Sequence, residues 1–105
     1  MKSLKKLDLY DSNVTNAGLK ELAGLESLQS LNLGRTLVTD PGLKELARLK
    51  KLQTLSLISL KVTDSGVSEL AKLESLKTLD LIATKVTDAG VADLRKALPE
   101  TEIAR

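Results

Sequence analysis

The 105-residue chain contains no cysteine, histidine, tryptophan or phenylalanine. Without cysteine there are no disulfides and no thiolate metal sites. Without histidine the commonest general base and metal ligand near neutral pH is missing. Tyr10 is the only aromatic residue, and Pro41 and Pro99 are the only prolines. A globular core of ordinary design draws on several aromatics; here aliphatic side chains must fill the interior almost alone. Neither sign of charge dominates, since 16 basic and 14 acidic residues leave a formal net charge of +2 with the signs interspersed. Small basic clusters occur at Lys2, Lys5 and Lys6 and at Lys50 and Lys51. No aromatics are interleaved with them, so nucleic acid is not an expected partner. No stretch has a signal-peptide or membrane-spanning pattern, and no membrane partner is expected.

What the sequence has in abundance is a period of 24 residues. Leu4, Leu28, Leu52 and Leu76 form one column, Leu7, Leu31, Leu55 and Leu79 a second, and Leu9, Leu33, Leu57 and Leu81 a third. Val14, Val38, Val62 and Val86 follow, then Gly18, Gly42, Gly66 and Gly90. A period in this range marks a solenoid, in which each unit buries its apolar face against its neighbours. The expected organisation is one domain, residues 1–105, with repeats over 1–27, 28–51, 52–75 and 76–99 and a partial strand over 100–105. Such an array offers a surface rather than one deep pocket.

Within one repeat, Leu31 and Leu33 alternate with Ser30, Asn32 and Gly34. That is the period of a strand with one buried face. Thr36 falls at a turn and Val38 returns to the core. Thr39-Asp40-Pro41-Gly42 then opens a helix, with Pro41 suited to its first turn. Asp40 is the favoured N-cap and Thr39 the alternative. Leu43, Leu46 and Leu49 continue at helical spacing. Strands are predicted near Lys6–Leu9, Ser30–Leu33, Thr54–Leu57 and Thr78–Leu81. Helices are predicted near Gly18–Ala23, Gly42–Arg48, Gly66–Lys72 and Ala89–Leu98. Alternation of strand and helix requires parallel strands joined by right-handed crossovers. Helices need about twice the spacing of strands, so the stack must bend with strands on the inner side.

The run L-x-x-L-x-L-x-x-T-x-V, carried by Leu28, Leu31, Leu33, Thr36 and Val38, resembles the leucine-rich repeat. The continuation V-T-D-x-G-L-x-x-L is similar to the ribonuclease-inhibitor and F-box-associated branches and to compact bacterial repeats. The resemblance spans essentially the whole chain. It implies an α/β fold, a right-handed leucine-rich-repeat solenoid with a curved parallel β-sheet on the concave face and helices on the convex face. It also implies binding of a protein partner on the concave face. The family's usual Asn or Cys at the turn is Ser12, Thr36 and Thr84 here, and Leu60 in the third repeat. The hydroxyls in that column are suited to bond backbone groups of the next turn. Leu60 either fills a local gap or stands exposed as part of a contact.

The concave-face candidates are Lys6, Asp8, Tyr10, Ser30, Asn32, Arg35, Thr54, Ser56, Ile58, Thr78, Asp80 and Ile82. Short polar residues are ordinary on a solvated sheet face. The column Tyr10, Gly34, Ile58, Ile82 stands out, because aromatic and apolar anchors carry most binding energy. The plainer reading is β-propensity at a partly shielded sheet edge. Asp40, Asp64 and Asp88 recur once per repeat and are expected to be helix caps rather than calcium ligands. The single glycines are expected to permit close backbone approach, not to form a phosphate loop. Asn13-Val14-Thr15 matches a glycosylation sequon, but Thr15 also belongs to the repeat's own capping column. Asp8 and Asp80 lie three strands apart, roughly 14 Å, too far for a paired acid and base. No catalytic residue, metal site or cofactor is therefore expected.

The ends differ. Ile103 takes the place of Leu79, Glu100 that of Leu76, and Glu102 and Arg105 make the last edge polar, so the C-terminal end reads as finished. The first repeat has none in front of it, so the N-terminal end reads as cut or left for a partner. The simplest partner is a second copy, giving a weak homodimer that the local lysines oppose. The primary expectation is a non-catalytic protein-interaction module. The alternative is a structural fragment of a longer array, or an engineered repeat scaffold, with no partner of its own. The near-identity of the repeats favours that alternative; the irregular Tyr10, Arg35, Ile58 and Ile82 favour binding.

Overall fold

The computed structural model describes residues 3–105. Five short strands and four helices alternate along the chain: β1 (Lys6–Asp8), α1 (Asn16–Leu22), β2 (Ser30–Asn32), α2 (Asp40–Leu46), β3 (Thr54–Ser56), α3 (Asp64–Val67), β4 (Thr78–Asp80), α4 (Asp88–Ala97) and β5 (Glu102–Ala104). A 3₁₀ turn over Ser68–Lys72 continues α3. The strands form one parallel sheet in the order β1-β2-β3-β4-β5. Lys6, Ser30, Thr54, Thr78 and Glu102 stand in one row across it, and Asp8, Asn32, Ser56, Asp80 and Ala104 in another. The 24-residue sequence period and the strand register are thus the same fact.

The three leucine columns are buried from the second repeat onward, together with Val38, Val62 and Val86. Against them pack Leu43 and Leu46 of α2, Val67 and Leu70 of the third repeat, and Val91 and Leu94 of α4. Helices of seven residues such as α1 and α2 are too short to persist alone. Their apolar stripe on this layer holds them. In the third repeat the α-helix stops after four residues. There Ser68 bonds back to the Ser65 carbonyl, at 2.8 Å, and this back-bonding competes with the helical ladder. Leu60 is only 2% exposed. It fills the core, as the plainer of the two sequence readings held.

Two expectations need correction. The N-cap positions are held by Thr15, Thr39, Thr63 and Thr87, each extended, and not by the Asn or Asp that follows them; of the four, Thr87 caps with its side chain, accepting the Gly90 N–H. The aspartate is the first helical residue, and its carboxylate reaches forward into the next repeat. Thr63 donates to Asp40 through its backbone N–H (2.8 Å) and its hydroxyl (2.6 Å). Thr87 donates to Asp64 in the same two ways, at 2.8 and 2.5 Å. Asn16 makes the equivalent rung to Thr39 with its amide. These rungs tie helix starts together across repeats. They explain the glycine column: a Cβ on Gly42, Gly66 or Gly90 would overlap Asn16, Asp40 or Asp64.

The second correction concerns the hydroxyl column. Ser12 and Thr36 do not bond the next turn, and Thr84 does so only through a long 3.4 Å bond from the Val86 N–H. They donate to the carbonyls three residues back, Leu9, Leu33 and Leu81, at 2.6 to 2.8 Å. This closes a tight turn whose other member is a left-handed residue, Asp11, Arg35, Ser59 or Ala83. A non-glycine residue there is uncommon. In the first three of these the backbone N–H donates to the neighbouring repeat, which holds the turn in place.

The last repeat is closed by β5. The buried Thr101 donates its hydroxyl to the Leu76 carbonyl at 2.7 Å. Arg105 donates to the Val86 carbonyl at 3.0 Å and pairs with Asp88, which takes the place of a further rung. At the other end Leu4, Leu7, Leu9 and Val14 are only partly buried. Lys2, one of the lysines expected to guard that edge, lies outside the described residues.

Candidate functional site

On the concave side, strand alternation turns every second residue away from the leucine core. The structure places Lys6, Asp8, Ser30, Asn32, Thr54, Ser56, Thr78 and Asp80 within the strands themselves, in the two rows described. Tyr10, Ile58 and Ile82 lie just past the strand ends, and Arg35 occupies a left-handed turn there.

The row Asp8, Asn32, Ser56, Asp80 ends each strand. Asp8 accepts the backbone N–H of Tyr10 at 3.0 Å, Asn32 that of Gly34 at 3.0 Å, and Asp80 that of Ile82 at 3.1 Å. These side chains turn the chain out of the sheet. Ser56 does not follow them. Its hydroxyl is buried and has no hydrogen-bond partner.

Tyr10 and Ile82 are 44% and 45% exposed, while Ile58 between them is half-buried. Gly34, the fourth member of the column, is buried because the Tyr10 ring lies over it. A Cβ at that position would come within 2.8 Å of Tyr10 Cδ1. Beside this stack Arg35 approaches Asp11 at 3.7 Å. The Tyr10 hydroxyl, and then the Asp11 charge, raise the Arg35 pKa above its ordinary value. The guanidinium places a cation beside Gly34 in the column. The sequence reading missed a further exposed apolar residue, Leu37, at 59%. It sits in a turn column otherwise filled by Asn13, Lys61 and Lys85, and that contrast was the available signal.

Two shallow depressions lie on the sheet face. One, of about 400 Å³, covers β1 to β3 and includes Lys6, Asp8 and Asn32 in its lining. The other, of about 390 Å³, covers β3 to β5 and includes Asp80 and Glu102. Thr54 and Ser56 line both. Among the described residues no three His, Cys, Asp or Glu side chains converge as a metal site. No helix among them is long and apolar enough to cross a membrane.

A family model of the leucine-rich repeat matches residues 1–23 and 24–47. Among solved structures, a leucine-rich-repeat protein of Leptospira interrogans is 30% identical over 97% of this chain, with a TM-score of 0.79. The chain is a leucine-rich-repeat solenoid. Internalin C2 of Listeria monocytogenes is similar to it at 34% identity over 97% of the chain, with a TM-score of 0.78. An internalin F of the same species, at 21% identity and a TM-score of 0.63, shares the fold. The solenoid spans 25% of the Leptospira chain and 41% of the internalin C2 chain, less than half of either. No curated protein sequence matches it. Leucine-rich repeats serve in general as protein-interaction modules and typically act as scaffolds rather than enzymes.

Proposed function

We propose that the solenoid is a non-catalytic interaction module that holds a protein partner on its concave sheet face. The observation that carries this reading is the apolar column at the strand ends. Tyr10 and Ile82 leave nearly half of their surface in water, in line with Ile58, on a face that is otherwise short and polar. Amphipathic aromatic and aliphatic anchors beside a rim cation are the ordinary make-up of a binding hot spot. The polar rows give the rest of the contact its register.

Replacing Ile58 and Ile82 together with Ser tests the reading. Partner capture should be lost while the melting temperature stays nearly unchanged. Equal capture by the double variant would remove the column from the interface. A large fall in melting temperature would show instead that the two isoleucines belong to the core.

A second reading follows from the share of related chains that the solenoid spans, 25% and 41%. On that reading the solenoid is a structural segment of a longer array and has no partner of its own. It requires capture to be unaffected by any concave-face substitution.

A further inference from the structure

The depression over β3 to β5 has two carboxylates in its lining, Asp80 and Glu102, and no cation. One oxygen of Asp80 accepts the Ile82 N–H, and the other has no partner among the described residues. Glu102 is exposed and forms no ion pair among the described residues. Ser56 lines both depressions, with its hydroxyl oxygen closed off from solvent and making no hydrogen bond. Just past the strand ends lie Ile58 and Ile82. We propose that this depression seats a Lys or Arg side chain of a partner segment whose neighbouring apolar side chain rests on Ile58 and Ile82.

The chemistry selects that occupant. An acidic side chain is repelled by Asp80 and Glu102. A bare metal ion lacks the required number of converging ligands. A basic side chain lays its aliphatic stem along apolar surface while its head reaches the carboxylates. Its N–H groups supply the donors that Asp80 and Glu102 lack. The neighbouring depression differs, because there Lys6 lies beside Asp8 and offsets it. The concave face is therefore polarised toward its C-terminal half, and a basic segment binds there in one orientation.

This inference rests on the concave face being the binding face, and its test separates the two. The probe is a display library of short random peptides selected against the 105-residue chain. One variant carries Asp80→Asn and Glu102→Gln, the other Ile58→Ser and Ile82→Ser. Asp80→Asn keeps the strand-ending bond, since Asn32 makes the same bond with an amide oxygen. The enriched peptides should pair a Lys or Arg with an apolar residue. Their binding should weaken at least about tenfold in the Asn/Gln variant, and weaken with added salt. Peptides that lack a basic residue overturn the basic seat and leave the concave face standing. So does binding lost in the Ser variant but retained in the Asn/Gln variant. Binding unaffected by both variants, or no enrichment at all, overturns both readings.

Discussion

Replacing Gly66 by Ala separates two opposite expectations. Gly66 is the third residue of α3. By helix propensity alone, Ala there stabilises by up to about 1 kcal/mol. The structure points the other way. A Cβ on Gly66 would overlap the Asp40 carboxylate and come within 2.9 Å of Asp40 Cβ, so rotation of the carboxylate does not clear the clash. Asp40 must move, and with it go the bonds from the Thr63 N–H and hydroxyl, at 2.8 and 2.6 Å. Each such bond contributes about 0.5–1.5 kcal/mol net, so two together contribute about 1–3 kcal/mol. After a propensity gain of about 1 kcal/mol, a net loss of about 0–2 kcal/mol is expected. In a chain of about this length each kcal/mol lowers the melting temperature by about 4–8 °C. Denaturant unfolding of Gly66→Ala, Asp40→Ala and the double variant reads the effect. The double variant should be more stable than the sum of the singles implies by at least about 1 kcal/mol, because both remove the same two bonds. A Gly66→Ala variant stabilised by the full propensity gain of about 1 kcal/mol, or strict additivity, would refute the inter-repeat rung.

Three further outcomes follow from other parts of the structure. Leu55→Ala should cost about 2–5 kcal/mol, because it opens a cavity in the central layer, and a loss under about 1 kcal/mol in denaturant unfolding would place Leu55 outside the core. The Asp64 pKa is held below its ordinary value by the Thr87 hydroxyl and then by the Thr87 backbone N–H. A depressed carboxylate stabilises the fold above its unfolded pKa, and that stability fades as pH falls through the ordinary carboxylate range to the folded value. A melting-temperature series below neutral pH should show this loss, and Asp64→Asn should flatten it, since Asn16 makes the same rung as an amide. Last, the partly buried Leu4, Leu7 and Leu9 beside the unpaired edge of β1 favour weak self-association of the 105-residue chain. Sedimentation over a concentration series should detect it, and a strict monomer at high concentration would count against it.

Much of this fold was legible because period, register and burial coincide. Leu31, Leu55 and Leu79 are 24 apart in sequence and opposite one another in the sheet, so one pattern yields strand positions, pairing and the buried face together. The aspartate rungs were not legible. An Asp at a helix start reads as a cap, since capping is local and needs no neighbour. Its true partner is a Thr 23 residues on, reached only once the repeats are stacked. The left-handed column was equally hidden. Asp11, Arg35, Ser59 and Ala83 share no residue type, so the conformation is imposed by the turn, which an inter-repeat bond holds in the first three. On the concave face the sequence identified Tyr10, Ile58 and Ile82 as one column, because alternation alone locates it. It gave no hint that the Tyr10 ring covers Gly34, or that Ser56 would be left without a partner between three residues able to accept a turn N–H. Both depend on how far a side chain reaches in the finished stack.

Hydrogen exchange on the solenoid, free and bound to a captured partner, tests most directly whether the concave face is the binding face. Binding should slow exchange along β2, β3 and β4 and the segments that follow them, with Ile58 and Ile82 at the centre, and leave α1 to α4 unchanged. Protection confined to the helices, with the strand-end segments exchanging as in the free chain, would contradict it.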